Sequence, residues 1–149
     1  MPSPNRIAIL HGVNLDQLGG RDPLFYGDFT LLELEKKIEA WAKELGLSAT
    51  CFQTNHEGEY VERLHQLATT ADAAILNAGA WTHYSWAIRD ALEASGVPAF
   101  EVHISDVMAR EEWRHFSVFD GLVVGQVYGK GADGYREALE GLAEHLGDG

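Results

Sequence analysis

The chain has 149 residues and a net charge of −12, from 23 acidic and 11 basic residues. This length suits one domain with one core, predicted over residues 1–149, and the 46% hydrophobic content is ordinary for a globular protein. Because nucleic-acid and anionic membrane partners require a basic surface, neither is expected. A small anionic ligand remains compatible, provided that local arginines and backbone N–H groups overcome the overall negative field.

The cysteine and histidine content limits redox and metal chemistry. The single cysteine, Cys51, excludes an internal disulfide, and its apolar surroundings predict buried packing. The seven histidines are scattered without metal-ligand spacing, so no metal site is expected. Apolar runs fall short of the about 20 residues that a membrane-spanning helix needs, and the first residues do not have the pattern of a secretory signal. We therefore expect a cytoplasmic protein.

Apolar β-rich runs alternate with helical patterns along the chain. In chain order, they predict a strand at 7–10, a helix at 30–45, a strand at 47–52, a helix at 57–68, a strand at 73–76, a helix at 84–94, strands at 99–102 and 122–127, and a helix at 134–146. A capping box of Thr30 and Glu33 begins the first helix, and Gly46 ends it.

This alternation predicts an α/β fold with a five-stranded parallel sheet and helices on both faces. With the first strand near the centre, strand order 2-1-3-4-5 is the common solution at this length, which is the flavodoxin-like arrangement. Ligands of such sheets bind beyond the carboxyl ends of the strands. We therefore expect any functional site to form from the residues that follow each strand.

Polar residues follow four of the predicted strands. They are His11, Gly12 and Asn14 after the first strand, Asn55, His56 and Glu57 after the second, Asn77, Thr82 and His83 after the third, and Glu101, His103 and Ser105 at the fourth. Each residue alone is typical of a turn or of a satisfied core side chain. Their coincidence at one rim of the sheet favours a functional site.

Two pairs within this pattern are suited to acid–base chemistry. Glu101 and His103 are two apart on a strand and share a face, where the carboxylate would stabilise a protonated imidazole that acts as an acid. Arg21 and Tyr26 belong to a long glycine-bearing segment typical of a lid, and an arginine beside a tyrosine stabilises the tyrosinate base. A structural polar pair and a loop anchor are the alternatives. The charged residues at 110–112 are interpreted as a solvated helix face.

Four blocks of sequence together resemble the type II 3-dehydroquinate dehydratases over nearly the whole chain. The blocks are GVNL, LGGRDP and YG within residues 12–27, QTNHEGE at 53–59, NAGAWTH and RDAL within 77–92, and EVHIS and AREEWRH within 101–115. The resemblance implies dehydration of 3-dehydroquinate to 3-dehydroshikimate by anti elimination through an enolate, without a metal or an organic cofactor.

The resemblance also implies a role for individual residues. Tyr26, activated by Arg21, would remove the proton next to the ketone, and Asn14 would stabilise the enolate. His103, held by Glu101, would protonate the departing hydroxyl. The implied substrate-binding residues are Asn77 near the departing hydroxyl and the carboxylate, Ile104 and Ser105 on the carboxylate, His83 and Arg114 on the ring hydroxyls, and Asp90 at a neighbouring subunit's site.

The resemblance further implies a trimer-based homo-oligomer, commonly a dodecamer. Asp90 lies six residues beyond Tyr84 on the predicted third helix, which is about 9 Å along the helix and away from its own rim. Several positions depart from the family: Val13 and Ala78 replace prolines, Asp16 and Asp106 replace asparagines, and Met108 and Phe116 replace residues that are often polar. An anion at Asp16 would oppose the enolate unless it points away or is paired.

Two alternatives to this activity remain open from the sequence. One is a paralogue that dehydrates a related hydroxy keto-acid. The other is a non-enzymatic flavodoxin-like binding module, such as a phospho-receiver or flavin protein. A receiver needs an acidic pair after the first strand and an aspartate after the third, where this chain has Asn14 and Asn77. A flavin protein needs a Ser/Thr-rich phosphate loop after the first strand.

Overall fold

A computed structural model describes residues 4–148 and places a five-stranded parallel sheet between two layers of helices. The strands are β1 (Arg6–His11), β2 (Ser48–Gln53), β3 (Ala73–Asn77), β4 (Ala99–His103) and β5 (Gly125–Tyr128). The helices are α1 (Pro23–Tyr26), α2 (Leu31–Glu44), α3 (Glu57–Thr70), α4 (Trp86–Ser95) and α5 (Asp133–Asp148). The sheet order is β2-β1-β3-β4-β5, as predicted from the alternation.

Two hydrophobic clusters cover the two faces of the sheet. On one face, α2 and α5 pack through residues such as Leu34, Ile38 and Leu139 against Ile7 and Ile9 of β1. The opposite face packs against α3 and α4. Every residue of β3 is buried, because this strand lies in the middle of the sheet and is covered on both sides.

The capping box predicted for α2 is confirmed. The Thr30 hydroxyl accepts a hydrogen bond from the Glu33 N–H at 3.2 Å, and the Glu33 carboxylate accepts one from the Thr30 N–H at 2.9 Å. The Glu33 carboxylate also accepts a hydrogen bond from the Thr30 hydroxyl at 3.0 Å, and the bonds that it accepts from the Thr30 N–H and hydroxyl, the backbone one first, hold its pKa below the ordinary value. Helix α2 is thereby fixed at its start, directly after the segment that carries Tyr26.

Two predicted boundaries are wrong. The fifth strand begins at Gly125 rather than at residue 122, because Leu122 and Val123 turn back to the Phe119 carbonyl and pack into the α3–α4 cluster. Helix α4 begins at Trp86 rather than at residue 84, because the Ser85 hydroxyl accepts a hydrogen bond from the N–H of Ile88 and caps the helix there. Residues Gly79–His83 form a 3-10 turn before it.

Within residues 4–148, each helix is either too short or too polar to cross a lipid bilayer.

Candidate active site

A cleft opens at the carboxyl ends of β1, β3 and β4, beside the segment that leads into α1. It encloses about 560 Å³, part of which is open to solvent. Nine of the predicted site residues line it: Asn14, Arg21, Tyr26, Asn77, His83, His103, Ile104, Ser105 and Arg114. Four stretches of sequence therefore meet in one cleft, at the rim that the strand order predicts.

The predicted pairing of His103 with Glu101 is present at the end of β4. The imidazole Nε2 lies 2.6 Å from the Glu101 carboxylate, and both side chains are buried. The carboxylate also accepts hydrogen bonds from Ser117 at 2.8 Å and Gln126 at 2.9 Å. Burial by itself would raise the pKa of Glu101, but these three hydrogen bonds hold it below its ordinary value.

The ionised Glu101 fixes the tautomer of His103. Since the carboxylate accepts a hydrogen bond from Nε2, the second ring nitrogen, Nδ1, is available to the cleft that His103 lines. A proton carried on Nδ1 of the doubly protonated ring would face a ligand bound in the cleft. The pair can therefore deliver a proton to a bound ligand.

His83 stacks on His103 and is suited to accepting a hydrogen bond. The two ring centroids are 5.9 Å apart with an interplanar angle of 21°. His83 Nδ1 donates to the Phe116 carbonyl at 2.7 Å, which leaves Nε2 with a lone pair. Burial lowers the pKa of His83, and His103 and Arg114 nearby lower it further, so the ring is neutral near neutral pH.

The hydroxyl of Tyr26 is held by Arg110. The Arg110 guanidinium donates to the Tyr26 hydroxyl at 2.7 Å and to the Ser105 hydroxyl at 3.2 Å. Arg21 instead stacks on the Tyr26 ring, with its guanidinium carbon 3.6 Å from the ring centroid. Burial lowers the pKa of Arg21, and the neighbouring arginines contribute to this. Two cations therefore surround the tyrosine, one on its hydroxyl and one on its face.

The interpretation of residues 110–112 as a solvated helix face is wrong for Arg110. Its side chain is 8% exposed and lines the cleft. The segment folds as 3-10 turns at Val107–Ala109 and Glu112–Arg114, which direct Arg110 inward while Glu111 stays exposed and pairs with Arg114 at 2.9 Å. The sequence could have indicated this role, because Arg110 belongs to the same family-like block, AREEWRH, as the predicted site residue Arg114.

The asparagines of the rim are fixed by hydrogen bonds. Asn77 donates through Nδ2 to the buried Tyr135 hydroxyl at 3.0 Å. Asn14 adopts a left-handed backbone with φ of 69°, and its N–H donates to the Asn55 side chain at 2.8 Å. The rim is also closely packed, since a Cβ on Gly12 would lie 2.5 Å from the Ala78 carbonyl oxygen. The turns that carry Asn14 and Asn77 therefore support each other.

The two acidic departures have structural partners. The Asp16 carboxylate accepts a hydrogen bond from Asn55 at 3.1 Å and does not line the cleft. Asp106 caps the following 3-10 turn by accepting from the N–H of Met108 at 3.2 Å. Asp16 is therefore hydrogen-bonded outside the cleft, so its charge does not face the proposed enolate site.

Asp90 and His11 lie outside the cleft. Asp90 is exposed on α4 and does not line the cleft of its own chain. His11, placed at the rim by its position after the first strand, is fully buried beneath the sheet end, because alternation along β1 turns it toward α2.

The cleft is electropositive within an acidic chain. Arg21, Arg110 and Arg114 line it, and no carboxylate is among the described residues that line it. Arginines hold carboxylates through charge-assisted, bidentate hydrogen bonds. The cleft is therefore suited to a small anion and unsuited to a free cation.

The fold and the cleft define a class: a flavodoxin-like α/β domain with paired tyrosine–arginine and histidine–carboxylate groups in an arginine-lined cleft. Residues 5–143 match the model of the family described as dehydroquinase class II, and the chain belongs to this family.

Relatives of known name support the family membership over nearly the full length. The chain is 50% identical over 145 residues to the 3-dehydroquinate dehydratase of Pelobacter propionicus, with 97% of each chain covered. It is 50% identical over 135 residues to the 3-dehydroquinate dehydratase of Thermotoga neapolitana, covering 91% of this chain and 92% of the relative. The crystal structure of type II dehydroquinase from Propionibacterium acnes superimposes with a TM-score of 0.90 at 40% identity, covering 97% and 99%.

Proposed function

We propose that this protein is a hydro-lyase that dehydrates 3-dehydroquinate to 3-dehydroshikimate by anti elimination through an enolate. Family membership supports the reaction, and one structural observation carries the mechanism. The Arg110-held hydroxyl of Tyr26 and the Glu101-held ring of His103 lie in the same arginine-lined cleft. A base and an acid in one anion-binding cleft are what an elimination next to a ketone requires.

In the first step, the tyrosinate of Tyr26 removes the proton next to the ketone. Arg110 and Arg21 stabilise the negative charge on the tyrosinate, through the hydroxyl and the ring face respectively. The C–H bond electrons form the enolate, whose oxygen Asn14 stabilises through a water molecule. Stabilisation of charge where it develops lowers the barrier to this step.

In the second step, the enolate collapses and the hydroxyl departs as water. The Nδ1 proton of His103 passes to the leaving oxygen as the C–O bond breaks and the conjugated C=C bond forms. Glu101 stabilises the imidazolium before this transfer, and Asn77, fixed by Tyr135, holds the leaving hydroxyl. Tyr26 then loses its proton and His103 regains one from solvent, which closes the cycle without a metal or an organic cofactor.

Substrate binding is assigned to the remaining residues of the cleft. The N–H of Ile104 and the hydroxyl of Ser105 hold the carboxylate, and Arg114 and neutral His83 bind ring hydroxyls. The positions of all four residues along the cleft support this assignment.

The proposed assembly is a trimer-based homo-oligomer, extended to a dodecamer, in which Asp90 completes a neighbour's site. Asp90 is exposed on α4 and is outside its own cleft. Large apolar side chains near it are also exposed: Tyr84 is 58%, Trp86 56% and Phe116 46% accessible. An apolar surface of this kind beside a cleft is typical of a subunit interface.

The assay that tests the activity follows the conjugated enone product spectrophotometrically with 3-dehydroquinate as substrate. A panel of related hydroxy keto-acids in the same assay separates this proposal from a paralogue of different specificity. If a related keto-acid gives the enone with a higher kcat/KM than 3-dehydroquinate, that acid is the substrate. No enone from any substrate would favour a binding module. The proposed setting is the cytoplasm, in the shikimate pathway of aromatic amino acid biosynthesis or in quinate breakdown.

A further inference from the structure

A second cluster of chemically active side chains lies outside the cleft. It consists of His11 at the end of β1, Glu35 on α2 and Cys51 on β2, and its potential ligand atoms all lie within 4.8 Å of one another. None of the three residues lines the cleft. The cluster is therefore separate from the residues assigned to the reaction.

The fold brings these residues together from three elements. Ile9 of β1 is in register with Cys51 of β2, and alternation places His11 on the same face of the sheet as both. Helix α2 covers that face, and Glu35 follows the buried Leu34 along it. The Glu35 side chain is 21% exposed, so the cluster has a route to solvent.

His11 lacks hydrogen-bond partners. Its side chain is fully buried, and neither ring nitrogen has a hydrogen-bond partner among the residues that the structure describes. Nε2 lies 3.4 Å from the Glu35 carboxylate, but without the geometry of a hydrogen bond. Buried polar groups in proteins are normally satisfied, so an imidazole in this state points to a missing partner.

Cys51 is an unreactive thiol when the cluster is empty. Burial, followed by the charges of Glu35 and Glu39, raises its pKa to about 12. A metal ion coordinated by the sulfur displaces the thiol proton, and the carboxylate of Glu35 then contributes to charge balance.

We propose that His11, Glu35 and Cys51 form a binding site for one divalent cation of the zinc type. An imidazole nitrogen, a carboxylate oxygen and a thiolate sulfur are the three ligand types that Zn²⁺ accepts, and a water molecule would complete a tetrahedral set. The mixed soft and borderline donors disfavour Mg²⁺ and Ca²⁺, which prefer oxygen ligands. The bound ion links β1, β2 and α2 and takes no part in the dehydration.

Cobalt titration of the chelator-treated full-length protein tests the site. Because Cys51 is the only cysteine, a thiolate-to-Co²⁺ charge-transfer band reports this residue alone. The expected result is a band that saturates at one Co²⁺ per chain, with the intense visible bands of tetrahedral cobalt, and that Zn²⁺ displaces. Calorimetric titration with Zn²⁺ should show affinity weakened by about tenfold or more in Cys51→Ser and Glu35→Gln.

The control variant is His65→Asn, which removes an exposed histidine on α3 and should leave the Zn²⁺ affinity unchanged. Circular dichroism verifies that each variant is folded, and Zn²⁺ should raise the melting temperature of the parent chain but not of Cys51→Ser. The absence of saturable Co²⁺ or Zn²⁺ binding would overturn the site. Binding that gives no charge-transfer band and is equally strong in Cys51→Ser would overturn the site as well.

Discussion

Arg110 offers the sharpest test of the proposed base. Its guanidinium donates at 2.7 Å to the Tyr26 hydroxyl from a side chain that is 8% exposed, so solvent screens this interaction little. A hydrogen bond to a charged group contributes about 1.5–3 kcal/mol. At about 1.4 kcal/mol per factor of ten, Arg110→Met should lower kcat/KM for 3-dehydroquinate by about 10- to 150-fold.

The Arg110→Lys variant separates loss of the positive charge from loss of the hydrogen-bond geometry. Arg110→Lys retains the charge but loses the fork that spans Tyr26 and Ser105, and an intermediate effect is expected.

Arg63→Met is the matched control, because Arg63 also covers an aromatic ring, that of Phe52 at 3.9 Å, but lies outside the cleft. The kcat and KM of Arg63→Met should match those of the parent. An Arg110→Met variant with kcat/KM within about twofold of the parent would refute the role given to Arg110.

Four further predictions follow from the same geometry. Tyr26→Phe and His103→Ala should each lose about 10²-fold or more in kcat, and His103→Ala should still exchange the substrate α-proton with solvent. Near-normal turnover of Tyr26→Phe would show that Tyr26 is not the base. Activity should survive extended chelation, because three arginines line the cleft and disfavour a catalytic cation there; rescue by a divalent ion after loss would contradict this. Mixed oligomers of Asp90→Ala and His103→Ala subunits, verified by mass, should recover activity that neither variant shows alone. Light scattering should give a multiple of three subunits, and a fully active monomer would exclude the shared site. The folded-state pKa of Glu101 lies below its ordinary value of 4.5, so its contribution to stability is complete above that pH and is lost as the pH falls through the lower folded value. In urea unfolding, the stability advantage of the parent over Glu101→Gln should therefore shrink in acid, and a constant or growing difference would contradict an ionised Glu101.

Local sequence patterns were sufficient for the sheet and for one half of the proposed chemistry. The alternation of apolar strands and amphipathic helices predicts the β2-β1-β3-β4-β5 order, because few parallel topologies bury such strands on both faces. The pairing of Glu101 with His103 follows from the two-residue period of a strand, which a sequence shows directly.

The wrong boundary of β5 depended on packing rather than on propensity. Residues 122–124 have the composition of a strand, but Leu122 and Val123 turn back to the Phe119 carbonyl and pack into the α3–α4 cluster. The ladder begins where Gly125 pairs with Phe100, and a Cβ on Gly125 would lie 2.4 Å from the Phe100 ring. Such a contact between β4 and β5 is not visible in either segment alone.

The tertiary structure also decided which charges face the cleft and which polar groups are buried. The charged stretch around Arg110 predicts a solvated side chain. Only the 3-10 turns around it bring its guanidinium to Tyr26, which is 84 residues away in the sequence. His11, Glu35 and Cys51 are likewise far apart along the chain and meet because β1, β2 and α2 pack on one face. Sequence periodicity shows which face of each element is apolar, whereas contacts between elements depend on how those faces pack. These contacts form both the cleft and the cluster of His11, Glu35 and Cys51.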